Sequence, residues 1–213
     1  MNNLINIFQS YIHYLIHPFK THEMFLTPAR FEGYKPIRLD VYESLATSWV
    51  FILIHALFRI ITLNFIILFL VDLFQSSLGE YSSFINIDQF PSLYFIVLSS
   101  ILDIIFYPLF GFFMIQFWEF IFKFYANLLE VEDNVDQRIQ DILSVYFSST
   151  ILNLIPIFGA PLQSMASMVL MYAGLRKQLD SSPVLSVCII LTPFLILFVL
   201  ASILGLMLLF LAQ

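Results

Sequence analysis

The residues able to do chemistry in this sequence are sparse, and the most informative ones interrupt apolar runs. His55 and Arg59 stand four apart in FILIHALFRIITLNFIILFL, residues 51–70, so a helix would put both on one face. Asp103, Gln116 and Glu119 interrupt a second apolar run, and Tyr107 follows Asp103 by one helical turn. A charge at the centre of a bilayer costs roughly 2.5–3.5 kcal/mol on insertion scales. Arg59 therefore needs a partner, and Asp103 is the expected one. If the first helix enters from one side and the second returns from the other, the two charges reach similar depth. Glu119 lies further along the second helix, on the order of 24 Å beyond Asp103, and has Lys123 four residues on. Two chemistries fit this cluster. One is a proton or ion pathway through His55, Arg59 and Asp103. The other is an ion pair that fixes helix register, with Tyr107 as a possible further hydrogen-bond donor. The ion-pair clamp is favoured, because transport sites usually recruit polar groups from several broken helices and the later apolar runs carry almost none.

Other titratable residues carry weaker patterns. His13 and His17 are four apart, but only Glu23 lies nearby as an acidic third ligand, so two residues on the polar face of a helix is the better reading. Glu130, Glu132, Asp133 and Asp136 resemble a calcium loop in charge alone, without its glycine or its alternating oxygen ligands. Cys188 is the single cysteine, which excludes an intrachain disulfide and a cysteine-based zinc site. No Gly-x-Ser-x-Gly elbow, His-Glu-x-x-His pair or glycine-rich phosphate loop occurs. No enzyme activity, metal or cofactor is expected.

The elements that must position these groups are membrane helices. Of 213 residues, 60% are hydrophobic and 11% charged, against about 25% charged in soluble domains. The net charge of −6 argues against nucleic acid as a partner. In the N-terminal stretch, Leu4, Ile5, Phe8, Ile12, Leu15 and Ile16 fall on one helical face until Pro18 ends the pattern. This predicts an amphipathic interfacial helix or one packed on the cytoplasmic side of the membrane domain; without a basic n-region it is a poor signal peptide. Residues 19–46, with Pro28, Gly33 and Pro36, read as a cytoplasmic loop. Residues 1–46 would form an N-terminal segment and 47–213 a membrane domain.

Five spans are expected in an all-α polytopic protein: 47–71, a long run 92–129 with Pro108 and Gly111 inside it, a short pair 139–155 and 158–175, and 184–211. Lys20, Arg30, Lys35 and Arg38 precede the first span, Lys123 and Arg138 flank the loop after the second, and Arg176 and Lys177 follow the fourth. Alternate loops thus hold every cation except Arg59, which predicts a cytoplasmic N-terminus and an external C-terminus. If the short pair only dips into the bilayer, two crossings vanish together and that orientation survives. Small residues mark helix contacts: Gly159, Ala160, Ser164 and Gly174 around the fourth segment, Ala201 and Gly205 in the last. They could join helices within one chain or between copies.

The run VYFSSTILNLIPIFGAPLQSMASMVLMYAGLRKQLDSSPVLSVCIIL resembles the Ypt/Rab-interacting protein (Yip) domain family. In that family a helix leads to a Pro-Gly hairpin, the next helix ends in a small residue, Gly-Leu and basic residues, and a Ser-containing turn precedes a final helix. Here the helix end is Ala173-Gly174-Leu175-Arg176-Lys177. HPFKTHEMF is similar to the lead-in of prokaryotic members. The likeness covers most of the chain and contains no catalytic signature; LLEVEDNVDQR departs from it where members often carry glycines. The resemblance implies five spans with a cytoplasmic N-terminus. Eukaryotic members act with Rab-type GTPases in vesicle traffic, a role not carried over to a chain whose compact loops point to a prokaryotic member. The expectation is a non-enzymatic scaffold of the bacterial inner membrane, touching lipids, other membrane proteins or a second copy. A small transporter or channel is the rival.

Overall fold

Seven α-helices follow one another in a computed structural model that describes residues 2–31, 36–78, 93–131, 133–156 and 158–211. They are α1 (Asn2–Ile16), α2 (Pro18–Leu26), α3 (Val41–Leu78), α4 (Leu93–Leu128), α5 (Val135–Phe147), α6 (Gly159–Gln178) and α7 (Pro183–Leu211), with no strand among the described residues. Lys35, Glu80, Pro91, Glu132 and Gln213, and the side chain of Leu4, lie outside the described residues.

Among the described residues three helices are long and apolar enough to cross a membrane: Val41–Leu63 within α3, Tyr94–Leu128 within α4 and Pro183–Met207 within α7. The two short segments expected to complete five spans do not have that character. The chain of α5 tightens at Ser148 into a 3-10 helix, Ser148–Leu154. Ser148, Ser149 and Thr150 each donate a hydroxyl to the carbonyl three residues back, at 2.6, 2.8 and 2.7 Å. Such local bonds compete with the α-helical ladder, so α5 stops after 13 residues. α6 has 20 residues but carries Gln163, Ser164, Ser167, Gly174, Arg176 and Lys177. The expected loop 19–46 also contains more order than its composition suggests. Pro18 ends α1 and starts α2, where its missing N–H is harmless, and α3 begins at Val41 rather than 47.

α4 runs unbroken through Pro108. Proline cannot donate to the carbonyl four residues back, here that of Ile104, and the Trp49 indole N–H supplies the missing donor at 2.8 Å. Trp49→Phe should therefore cost about 1–3 kcal/mol by orphaning that carbonyl. Pro108→Ala, which restores the backbone donor, should recover most of the loss in the double variant. Thermal unfolding in detergent measures both. Equal losses with and without Pro108 would remove this role of Trp49.

α5 and the 3-10 helix climb alongside α3, held by three polar rungs. Ser44 and Ser144 share a hydroxyl bond at 2.7 Å, Ser48 donates to the Phe147 carbonyl at 2.9 Å, and His55 Nδ1 meets the Asn153 carbonyl at 2.7 Å. From Ser44 to His55 the rungs cover about 16 Å of helix. The chain then turns at Pro156 and returns as α6. Glycine is required where α6 starts: a Cβ on Gly159 would lie 2.6 Å from the Leu152 carbonyl oxygen. Gly174 has the same role lower down, where a Cβ would meet Ile142 at 3.0 Å and His22 Nε2 at 3.1 Å.

The main core lies at the end where the cations collect. Val41, Leu45, Ile115, Trp118, Phe122, Ile142, Met171 and Leu175 pack there, and Tyr11, Tyr14, Phe51, Ile151 and Leu170 form a second cluster under α1. α1 is turned with Ser10, Tyr11 and Tyr14 inward, while Ile5, Phe8, Ile12 and Ile16 stay exposed. Its polar-aromatic face is anchored: Ser10 Oγ accepts the Ile37 N–H at 2.9 Å and Tyr14 donates to the Ile37 carbonyl. One face of α1 thus packs on the rest of the chain, and the opposite face leaves an apolar row exposed.

His22 of α2 is fully buried against Gly174 and Gln178. Burial pushes its imidazole down to about 3 from an ordinary 6.5. A base whose folded value is depressed loses stability as pH falls, because the unfolded chain takes up the proton first. Stability should fall by up to about 1.4 kcal/mol per pH unit below the ordinary histidine value. Comparing wild type with His22→Leu by thermal unfolding across that range isolates the effect; an identical slope in both would rule it out.

Candidate functional site

Halfway along α3 its rungs to the hairpin end, and a cleft of about 390 Å³ opens between α3, α4 and the hairpin. His55, Arg59, Asp103, Tyr107, Asn153 and Gln163 line it, with apolar walls that include Ile52, Leu102, Phe106 and Phe110. A second hollow of about 280 Å³ continues past Arg59 to Thr62, Pro156 and Ala160.

Arg59 Nη1 lies 2.7 Å from Asp103 Oδ2. The remaining guanidinium geometry was not foreseen. Nε donates to Ser100 Oγ at 3.0 Å, and Nη2 donates to Ser100 and Ser99 at 2.8 and 3.2 Å. Both serine hydroxyls donate in turn to the Ile96 carbonyl, at 3.0 and 2.8 Å, so their lone pairs point at the arginine. The signal was present in the sequence: Ser99 and Ser100 precede Asp103 by four and three residues, which places all three on one helical face. The Arg59 side chain is 27% exposed and that of Asp103 54%. The carboxylate is thus the open side of the pair.

His55 stays apart from the pair. Its Nδ1–H donates to the Asn153 carbonyl, which in a neutral ring leaves Nε2 as an acceptor. Asn153 is 4% exposed, and its Nδ2 donates to Gln163 Oε1 at 2.8 Å. Its Oδ1 is buried without a partner. The apolar rhythm of the segment gave no reason to single out Asn153 or Gln163; only the hairpin turn carries them to α3.

The other expected site residues separate. Tyr107 lines the cleft, but among the described residues it makes no hydrogen bond to Asp103. Glu119 lies outside the cleft, and Lys123, its expected neighbour, pairs with Asp136 at 3.0 Å. Gln116 donates to the Tyr42 hydroxyl at 3.3 Å. Gly159 and Gly174 are close-packing positions, whereas Ala160 and Ser164 are exposed. Ala201 is exposed and a Cβ on Gly205 would meet nothing within 4 Å, so among the described residues this small pair joins no helices. His13 and His17 have ring centroids 5.2 Å apart, and no group of three or more His, Cys, Asp or Glu is placed to hold a metal among the described residues.

The paired cations gather at the other end of α3. Arg38 grips Asp141 through Nε–Oδ1 at 2.7 Å and Nη2–Oδ2 at 2.6 Å. Lys177 pairs with Glu23, and Arg138 donates to the Gln178 carbonyl at 2.8 Å. Burial pushes the Asp141 carboxyl up from its ordinary value, and the Arg38 contact opposes that shift. No family model, curated protein or solved structure matches this chain.

Proposed function

We propose that the protein is a non-enzymatic integral membrane scaffold that holds neighbours through helix contacts and an interfacial helix. The observation that carries this reading is α7: only 6% of its spanning window is buried in the chain, and the Ala201–Gly205 face stands open. In lipid, small residues spaced this way let a second helix approach closely. The partner would be another membrane protein or a second copy.

The membrane placement follows from charge. The cytoplasmic side is the end holding Arg38, Lys123, Arg138, Arg176 and Lys177. α3, α4 and α7 then cross, while α5, the 3-10 helix and α6 form a re-entrant hairpin whose tip at Pro156 stops beside Arg59. Non-helical backbone at membrane depth is tolerated where protein buries it, as α3 does here. Three crossings and five give the same orientation, with the N-terminus inside a bacterial inner membrane. The Yip-like pattern of residues 145–191 implies five crossings, and with them the same orientation. The exposed Ile5, Phe8, Ile12 and Ile16 would lie in the cytoplasmic interface.

Photo-crosslinkers at Ala201 and Gly205 in intact cells should give a discrete membrane-protein adduct, with none from the opposite face of α7 at Ile203. Adducts of equal yield from all three positions would argue against a contact surface. The α1 peptide should bind vesicles with little dependence on anionic lipid, since no Lys or Arg precedes Lys20, and Phe8→Ser/Ile12→Ser should abolish binding. The rival transporter reading draws on the half-exposed Asp103: ion flux into liposomes that disappears in Asp103→Asn would favour it over the scaffold.

A further inference from the structure

The cleft around Arg59 has a hydrogen-bonding inventory that the ion pair does not exhaust. Nε and Nη2 of Arg59 donate to Ser99 and Ser100, and Nη1 is paired with Asp103 Oδ2 at 2.7 Å. On the acceptor side, Asp103 Oδ1 has no partner among the described residues, Asn153 Oδ1 is buried without one, and His55 Nε2 is an acceptor while Nδ1–H is given to Asn153. Gln163, which also lines the cleft, adds an amide nitrogen. Among the described residues the open groups of the lining are therefore mostly acceptors. Unmatched buried acceptors cost free energy, and a half-exposed carboxylate in an apolar belt costs more.

Charge narrows what could cover them. Arg59 and Asp103 sum to zero, so an occupant with net charge would bring an uncompensated ion into low dielectric. A zwitterion would not. Its ammonium hydrogens would meet Asp103 Oδ1 and His55 Nε2, and its oxyanion would meet Arg59 and Gln163. The volume, about 390 Å³, falls in the range of small-molecule sites, about 300–1,000 Å³. Phe106 and Phe110 flank it, 42% and 63% exposed, so the cleft opens sideways onto a surface suited to acyl chains.

We infer that this cleft binds a primary-ammonium zwitterion, the chemistry of a phosphoethanolamine group, carried on a lipid or free. This assignment stands whether or not the scaffold reading holds. The probes are four phospholipids with identical acyl chains: phosphatidylethanolamine, its N-methyl and N,N-dimethyl derivatives, and phosphatidylcholine. All have zwitterionic headgroups, and they differ in the number of N–H donors. Native mass spectrometry of the full chain in detergent should show retention falling along the series, by about tenfold from first to last, the equivalent of one lost good hydrogen bond. Competition by soluble glycerophosphoethanolamine, a phosphodiester without net charge, would identify a free zwitterion as the source; retention of the lipid against it would identify the headgroup. Asp103→Asn leaves Arg59 uncompensated and should move the preference to anionic phosphatidylglycerol. Equal retention of all four lipids without competition by glycerophosphoethanolamine would overturn the assignment. So would an Asp103→Asn protein that keeps the ethanolamine preference, or a doubled native mass with no lipid retained, which would place a second copy over the cleft.

Discussion

Arg38→Met is expected to destabilise the protein by about 3–5 kcal/mol, toward the lower end because water reaches the arginine. Its guanidinium holds Asp141 by two parallel bonds, with side-chain exposures of 43% for Arg38 and 3% for Asp141. Removing the cation strands a buried carboxylate between the start of α3 and the hairpin. Burial already pushes that carboxyl up, and without Arg38 only the weaker Gln137 contact opposes the shift. An acid whose folded value is raised contributes stability at low pH and loses it as pH rises through that value. Part of the Arg38→Met loss should therefore return on acidification, opposite in sign to the His22 effect. Arg38→Met/Asp141→Leu should unfold near the wild-type temperature, since replacing both members of a buried pair by apolar groups is often neutral or better. Thermal unfolding of the two single variants and the double, across pH, tests this. A double variant as weak as the sum of the singles would remove the pairing from the account of stability.

The Arg59–Asp103 pair should behave asymmetrically. Asp103→Ala leaves Arg59 held by Ser99 and Ser100, whereas Arg59→Ala strands Asp103 and removes the cation that both serines face. Arg59→Ala should therefore cost about 2–4 kcal/mol and Asp103→Ala distinctly less. The exchange Arg59→Asp/Asp103→Arg should rescue only in part. An aspartate at 59 would confront serine oxygens whose hydrogens already point at the Ile96 carbonyl. Adding Ser99→Ala and Ser100→Ala should bring the exchanged pair closer to wild type. Full rescue by the exchange alone would mean that the serines carry no energy, and equal losses from both single variants would say the same.

Much of this protein was legible because it follows from pattern along the chain. Hydropathy marks the spans in α3, α4 and α7, since lipid forces long apolar helices whatever their neighbours. The cost of an embedded charge leads from Arg59 to Asp103, and the 3.6-residue period finds the apolar face of α1. Spacing on one helix is a local quantity, and so is the alternation of cations between loops. The hairpin was not legible in this way. Its apolar composition reads as two crossings, because hydropathy does not register that Ser148, Ser149 and Thr150 bend the helix onto its own carbonyls. Nor does it show that Ser144, Phe147 and Asn153 find partners on α3, or that Asp141 finds one in Arg38, about a hundred residues away. Asn153 and Gln163 entered the cleft for the same reason, and Glu119 dropped away from it. Contacts between distant segments depend on how the helices dock, so tertiary structure alone decided which polar residues share a site.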